Sequence, residues 1–388
     1  MSKPKLLLIS GISPFPQTSG GATRIKQPLV HLSKKYEIYF YFFLASDQTL
    51  TAEEESFLNQ HTIFFKSFPL AKKSVLLSLK SALPYHFSNY FSQELIDDFK
   101  DLQTKISFSQ IRIESTQILY LANYLLKNQF SKFVALDIST VSFYRRAFAS
   151  KNPFKVLIRL LSCLQVYLYE RSLLRFFSKI VVMSQKDAVF VKKLFALDKV
   201  QVSPNGIEKI NFLAPRIEKK IAIGFVGSVE HTPNRKALDY LLLEILPALK
   251  QAQVDCEVIV LGKGNQDFYQ NLSGVRFLDY VTDLQSFYEQ IDLLVAPIFA
   301  GSGTRLKVLE SLSYGRPVVT TEIGAEGIEI KSKYLSIVDD NEKNLINIWI
   351  DRITNFSNNC KNKFNSIELD KLSQQLYNLT WSRIFLDS

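Results

Sequence analysis

Short apolar runs alternate with stretches whose apolar positions fall three and four apart along most of the chain. The run 5–10 comes first, then a predicted loop at Ser19-Gly20-Gly21, a helical pattern through Ile25, Leu29 and Leu32, and the aromatic run 38–44. Further strands are predicted at 62–65, 110–113, 133–137, 179–183 and 200–202, separated by helical spacing. Strands this short and this apolar, alternating with helices, specify a parallel, doubly wound sheet.

Pro204-Asn205-Gly206 is a strong turn signal, and the polar stretch 208–220, with Pro215, is predicted to be a linker. The alternation then resumes with strands at 221–226, 256–261, 275–278, 293–295 and 317–321 and a helix at 234–249. The stretches 342–356 and 369–386 read as helical. The pattern therefore predicts two Rossmann-like domains, 1–207 and 221–365, and a C-terminal helix at 366–388 that packs back on the first domain. Two such domains are expected to face each other across a cleft. Ligands of open α/β sheets bind beyond the carboxyl ends of the strands, which puts the loops 11–21, 227–233 and 301–304 on that cleft.

Composition narrows the picture. With 388 residues and 47% hydrophobic content the chain is long enough for two ordinary domains and is not a disordered protein. Cys163, Cys256 and Cys360 are far apart and His31, His61, His86 and His231 are scattered, so neither a disulfide framework nor a metal site is predicted. No signal peptide and no membrane-spanning run is evident, and a cytoplasmic protein is expected. Residues 1–207 hold 27 Lys and Arg against 14 Asp and Glu, a net charge of +13, whereas residues 208–388 carry −3. That basic half fits an anionic lipid surface, a phosphorylated substrate, nucleic acid or simply a lysine-rich exterior. The stretches 70–91 and 155–177 mix leucines and aromatics with Lys72, Lys73, Lys80, Arg159, Arg171 and Arg175. They read either as membrane-surface segments at the inner face of the plasma membrane or as domain helices with a solvated face.

The densest chemistry lies at Gly301-Ser302-Gly303-Thr304-Arg305-Leu306-Lys307-Val308-Leu309-Glu310. Glycines allow the backbone to approach a ligand closely, and Thr304 is predicted to cap a helix whose first amides and dipole favour phosphate. Arg305 adds a planar fork for phosphate oxygens. Val308, Leu309 and Leu312 form one apolar stripe, with Glu310 off it. The plainer alternative is an ordinary turn, a solvated Arg305 and an i,i+3 pair of Lys307 with Glu310. Gly262-Lys263-Gly264 lacks the third glycine of a dinucleotide fingerprint, so NAD binding is not predicted.

This segment resembles the donor-binding signature of retaining glycosyltransferases of the family 4 type, in the subgroup with a Gly-Gly-Gly-Thr-Arg-Leu-Lys loop. The resemblance implies the GT-B fold, a nucleotide-diphospho-sugar donor, a glycan or lipid-linked acceptor in surface polysaccharide or glycolipid synthesis, and neither cofactor nor metal. By the same resemblance Glu310 meets the ribose, and Gly301, Ser302, Gly303, Thr304, Arg305 and Lys307 surround the diphosphate and sugar. Arg305 and Glu310 are then the residues on which turnover depends. Gly227 and Ser228 correspond to the family's first donor-domain turn, and Tyr280 falls where relatives place residues beside the base, although packing is an equal reading. Gly20, Gly21 and Arg24 resemble the glycine-rich first loop, as a phosphate or acceptor loop or a plain strand-to-helix turn. Asp137 falls in a segment resembling Asp-x-His-Asp/Asn-Val-x-Ser, or ends a strand. The chain departs from the family at Ser139, Ser228 and Ser302, which replace a histidine, an arginine and a glutamate. Those departures motivate the alternative of a GT-B protein that binds without turnover; nucleic-acid binding rests on charge alone.

Overall fold

The computed structural model describes residues 3–16, 20–148, 152–216, 218–264, 267–269, 272–278, 281, 283–300, 303–342, 344–362 and 366–385. The chain divides into two compact units, Met1–Pro204 and Asn205–Ser388.

The first unit is built on seven parallel strands, β1 (Lys5–Ser10), β2 (Glu37–Leu44), β3 (Phe64–Pro69), β4 (Gln110–Glu114), β5 (Ser131–Val134), β6 (Lys179–Val182) and β7 (Val200–Val202). Their order is β3-β2-β1-β4-β5-β6-β7. Leu6 to Ile9 are wholly buried because β1 is covered on both faces, which is why its sequence is a continuous apolar run rather than an alternation. Leu7 and Ile9 meet Phe99, Ile113, Phe133 and Val166 in one core cluster. Edge strand β3 begins at Phe64, two residues later than predicted, and the 133–137 strand ends at Val134. Gly20 and Gly21 do not form a loop: they are the first residues of the helix Gly20–Leu32.

The second unit carries six parallel strands, β8 (Ile221–Val226), β9 (Cys256–Leu261), β10 (Val275–Leu278), β11 (Leu293–Ala296), β12 (Val318–Thr321) and β13 (Leu335–Val338). They run in the order β10-β9-β8-β11-β12-β13. One face packs Ile223 and Phe225 with Leu238, Leu242 and Trp349. The other packs Ala222 and Leu294 with Leu309 and Leu312. The predicted 234–249 helix is Thr232–Tyr240, a π turn at Leu241–Ile245, and Leu246–Gln251. Pro247 sits just beyond that turn and cannot donate the amide a regular helix requires there.

Two expectations are corrected here. Residues 208–216 are not a free linker: the Asn211 amide donates to Ser313 (2.8 Å), the Leu213 amide to Tyr314 (3.0 Å), and Arg216 pairs with Asp292 (3.0 Å). The C-terminal helix belongs to the second unit, where Leu369, Leu372 and Leu376 of Ser366–Tyr377 share a core cluster with Leu309 and Leu312. The segment ahead of that unit's first strand is fastened to the same end of the chain, since the Ile207 amide donates to Leu379 and the Trp381 amide to Ile207, each at 2.9 Å. Among the described residues no helix is long and apolar enough to cross a membrane.

Candidate functional site

In the second unit the chain leaves β8 for β9 on one side and later reaches β11 on the other. The carboxyl ends of β8 and β11 therefore form the topological switch point of this sheet. Gly227 and Ser228 follow β8, Gly262 follows β9, and the helix Leu306–Ser313 follows β11.

Gly227 adopts φ +151°, a conformation that L side chains rarely take. A Cβ there would lie 2.6 Å from Asn234 Nδ2 and 2.8 Å from Lys307 Nζ. The residue is glycine because two polar side chains from different elements converge on its backbone. Gly262 meets the same turn from β9: a Cβ on it would stand 2.1 Å from the Gly227 carbonyl oxygen. The Gly262-Lys263-Gly264 sequence thus serves close packing of two loops.

Lys307 donates from Nζ to Asn234 Oδ1 (3.0 Å), and Asn234 Nδ2 donates to the Ser228 carbonyl (3.2 Å). The ammonium also stands 5.1 Å from the centre of the Phe225 ring. Burial, together with the neighbouring Arg305, pulls its pKa down to about 7, against an opposing pull from Glu310. Lys307 is accordingly tied to the β8 turn, and no ion pair with Glu310 closes. Ser228 Oγ accepts from the Glu230 amide (3.3 Å) and brings no positive charge to the turn.

The helix itself starts one residue later than expected. Arg305, not Thr304, is its N-cap, at φ −85° and ψ 98° and without a side-chain cap hydrogen bond. Thr304 is buried and presents its carbonyl to Asn205 Nδ2 at 3.4 Å. Among the described residues neither Thr304 Oγ1 nor Asn205 Oδ1 has a hydrogen-bond partner. No carbonyl within the helix can reach the amides of Leu306 and Lys307. Gly303 takes φ +81°, as a glycine-dependent loop requires. Arg305 is half-buried and approaches the Ala300 carbonyl from Nη2 at 3.4 Å.

Glu310 lies one turn further along the helix, half-buried. Burial pushes its carboxyl up to about 7, with Glu208 adding to the rise and Lys307 opposing it. Among the described residues its carboxylate accepts no hydrogen bond. The opposite side of the helix is fixed: Val308, Leu309 and Leu312 are buried, and the Tyr288 hydroxyl donates to the Lys307 carbonyl at 3.4 Å.

The structure therefore brings Gly227, Ser228, Lys307, Arg305, Thr304 and Glu310 to one edge of one sheet. Gly301, Ser302 and Tyr280 lie outside the described residues. Asn234 and Asn205 were not singled out as site residues from sequence; the only signals were the turns Pro233-Asn234 and Pro204-Asn205-Gly206.

The candidates in the first unit are placed differently. Arg24 is buried, donating from Nη1 to the Pro204 carbonyl (2.9 Å) and from Nη2 to the Ser203 carbonyl (3.2 Å) and hydroxyl (3.3 Å). Burial and Arg112 lower its pKa to about 9, against Glu114. Asp137 accepts from Ser142 Oγ at 2.7 Å, at the start of the helix Ser139–Phe148. That helix start is held by buried Glu170, which accepts from the amides of Ser139 (3.1 Å) and Thr140 (3.0 Å).

Residues 220–353, within the second unit, match the family described as glycosyl transferases group 1. In structure the chain is similar to sucrose-phosphate synthase from Thermosynechococcus elongatus, at 12% identity and TM-score 0.69, over 99% of this chain and 97% of that one. It is similar to Anabaena HepE, solved with UDP and glucose, at 14% identity and TM-score 0.64, over 99% and 98%. It is also similar to WaaG, a glycosyltransferase involved in lipopolysaccharide biosynthesis, at 14% identity and TM-score 0.62, over 96% and 97%. No curated protein matches the chain in sequence. Two parallel-sheet α/β units and these neighbours define the fold as GT-B.

Proposed function

We propose that the chain transfers a glycosyl unit from a nucleotide-diphospho-sugar to a hydroxyl of a glycan or lipid-linked acceptor, with retention at the anomeric carbon, as the family 4 subgroup it resembles does. Glu310 carries this reading. A half-buried carboxylate without a hydrogen-bond partner among the described residues, one turn from a helix N-terminus, suits a pair of ribose hydroxyls. The first-turn amides, the helix dipole and Arg305 suit the diphosphate beside it. Lys307 adds a cation whose lowered pKa rises again when an anion binds next to it.

In the step, the bond from the anomeric carbon to the diphosphate oxygen breaks and the bond to the acceptor oxygen forms on the same face. The acceptor proton passes to the departing diphosphate, so no side chain is assigned as general base. Arg305 and the helix N-terminus stabilise the charge that develops on the leaving group. The nucleotide sugar is a substrate, and the step as written uses no further cofactor or metal ion. HepE, solved with UDP and glucose, and WaaG, a lipopolysaccharide enzyme, support a nucleotide sugar and a surface-glycan setting.

The test is release of free nucleoside diphosphate when the chain is incubated with a panel of nucleotide sugars and candidate acceptors. At least one donor is expected to turn over, and Glu310→Ala to lose about 10- to 100-fold in apparent donor affinity. Thermal stabilisation by a nucleotide sugar without any release of diphosphate would instead leave a binding protein of the same fold.

A further inference from the structure

The helix Pro153–Leu173 buries Cys163, Val166, Tyr169 and Leu173 on one face and exposes six large apolar side chains on the other. Phe154, Leu157, Ile158, Leu161, Leu164 and Leu168 recur at helical spacing, and each is at least 50% exposed, Phe154 as much as 70%. Soluble surfaces scatter such residues singly; a continuous stripe marks an interaction surface.

Neighbouring segments extend it. His86 Nε2 lies 3.4 Å from Ser162 Oγ of this helix, and its ring is 5.0 Å from that of Phe143 on the helix Ser139–Phe148. Lys73 and Arg146 both act on the same imidazole. The elements that bear Lys73, Phe143 and Ser162 thus meet around one residue. The helix Val75–Ser81, just after Lys73, has no buried residue and exposes Val75, Leu76 and Leu79.

Charge identifies the occupant. No Asp or Glu occurs between Glu55 and Glu94, or between Asp137 and Glu170, and Glu170 is itself buried. Lys72, Lys73, Lys80, Arg146, Lys155 and Arg159 are all exposed in these two stretches. A second copy of the chain would set this wholly basic rim against itself. A lipid surface bearing negative headgroups takes both the cations and the apolar stripe. The helix is already formed and capped, with Asn152 Oδ1 accepting from the amides of Phe154 (3.0 Å) and Lys155 (3.2 Å), so binding involves little ordering cost.

We infer that this face of the first unit docks on an anionic bilayer, the Pro153–Leu173 helix lying in the interface with its leucine stripe inserted and its basic neighbours on the headgroups. The inference is independent of the donor chemistry. Its test is co-sedimentation of the full chain with phosphatidylglycerol–phosphatidylcholine vesicles and with phosphatidylcholine vesicles alone. The chain is expected to pellet with the anionic vesicles and to be released by salt. Each cation removed, as in Lys155→Gln or Arg159→Gln, should weaken partitioning about fivefold. Leu161→Asp should abolish it without moving the thermal midpoint; Leu157→Ser with Leu164→Ser serves as a second apolar variant. Failure to pellet, or pelleting indifferent to Leu161→Asp and to lipid charge, overturns the inference. So does a dimer in sedimentation velocity that Leu161→Asp dissociates, since the stripe would then face a second copy.

Discussion

Each unit places glycine next to arginine at the start of a helix that follows a parallel strand, Gly20-Gly21 with Arg24 and Gly303 with Arg305. In sequence the two look like versions of one anion loop. In the structure they differ in what surrounds the guanidinium. Arg24 is buried and bonded to backbone oxygens of Ser203 and Pro204, so it holds the end of the first unit in place. Arg305 is half-buried, caps a helix, and shares its surroundings with Lys307 and Glu310. The same residue type is a buried fastener at Arg24, whereas at Arg305, half-buried at a helix N-terminus, the role proposed above is to meet an anion. Spacing does not tell the two apart; burial and partners do.

The largest expected effect follows from Arg24. Arg24→Ala leaves the carbonyls of Ser203 and Pro204 and the Ser203 hydroxyl without this buried donor, and should cost about 3–5 kcal/mol in denaturant unfolding. Arg305→Ala should reverse the pattern. Donor turnover falls about 100-fold, while stability changes by less than about 1 kcal/mol. Equal stability losses in the two variants would erase the distinction. Next comes Gly227→Ala, which sets a Cβ against Asn234 and Lys307 in a strained conformation; a loss of about 1–3 kcal/mol is expected by thermal unfolding.

The smallest effects are in pH dependence. Glu310 has its folded pKa raised from 4.5 to about 7, so its contribution to stability is complete below 4.5 and is lost as pH rises through 7. Lys307 has its folded pKa lowered from 10.5 to about 7, so its contribution is present above 10.5 and is lost as pH falls through 7. Glu310→Gln should flatten the decline between pH 4.5 and 7, and Lys307→Met the rise between 7 and 10.5. Each change is on the order of 1 kcal/mol in unfolding curves measured across those windows. An unchanged profile in both variants would remove the electrostatic contrast between the two loops.

The parts of this fold that were legible in sequence are those whose signal is local. Lys5–Ser10 and Ile221–Val226 are central strands, so both faces are covered and the residues form unbroken apolar runs. Edge strands lack that signature. Lys66 of β3 pairs with Glu94 and Asp98, and the predicted strand therefore stopped short of it. Leu335–Val338 alternates buried and open positions after a lysine-rich turn and went unpredicted. The apolar stripe and Glu310 were legible because one helix carries them all. Asn234 and Asn205 were not, because their roles depend on partners 73 and 99 residues away. The cap differs for a related reason: Thr304 has the right chemistry, but its hydroxyl is buried and, among the described residues, makes no hydrogen bond to the helix amides, while its carbonyl meets Asn205.

The fastening of Ile207 to Leu379 and Trp381 has a topological consequence. It brings the first and last segments of the second unit side by side, so that this unit is a closed ring of chain rather than an open string. A ring has no privileged opening. The β-sheet and the edge that bears Lys307 and Glu310 should therefore tolerate a circular permutation that joins these neighbouring segments and places new termini in an exposed loop elsewhere. Gly206 marks the tightest point of the closure, where a Cβ would lie 2.6 Å from the Leu379 carbonyl oxygen.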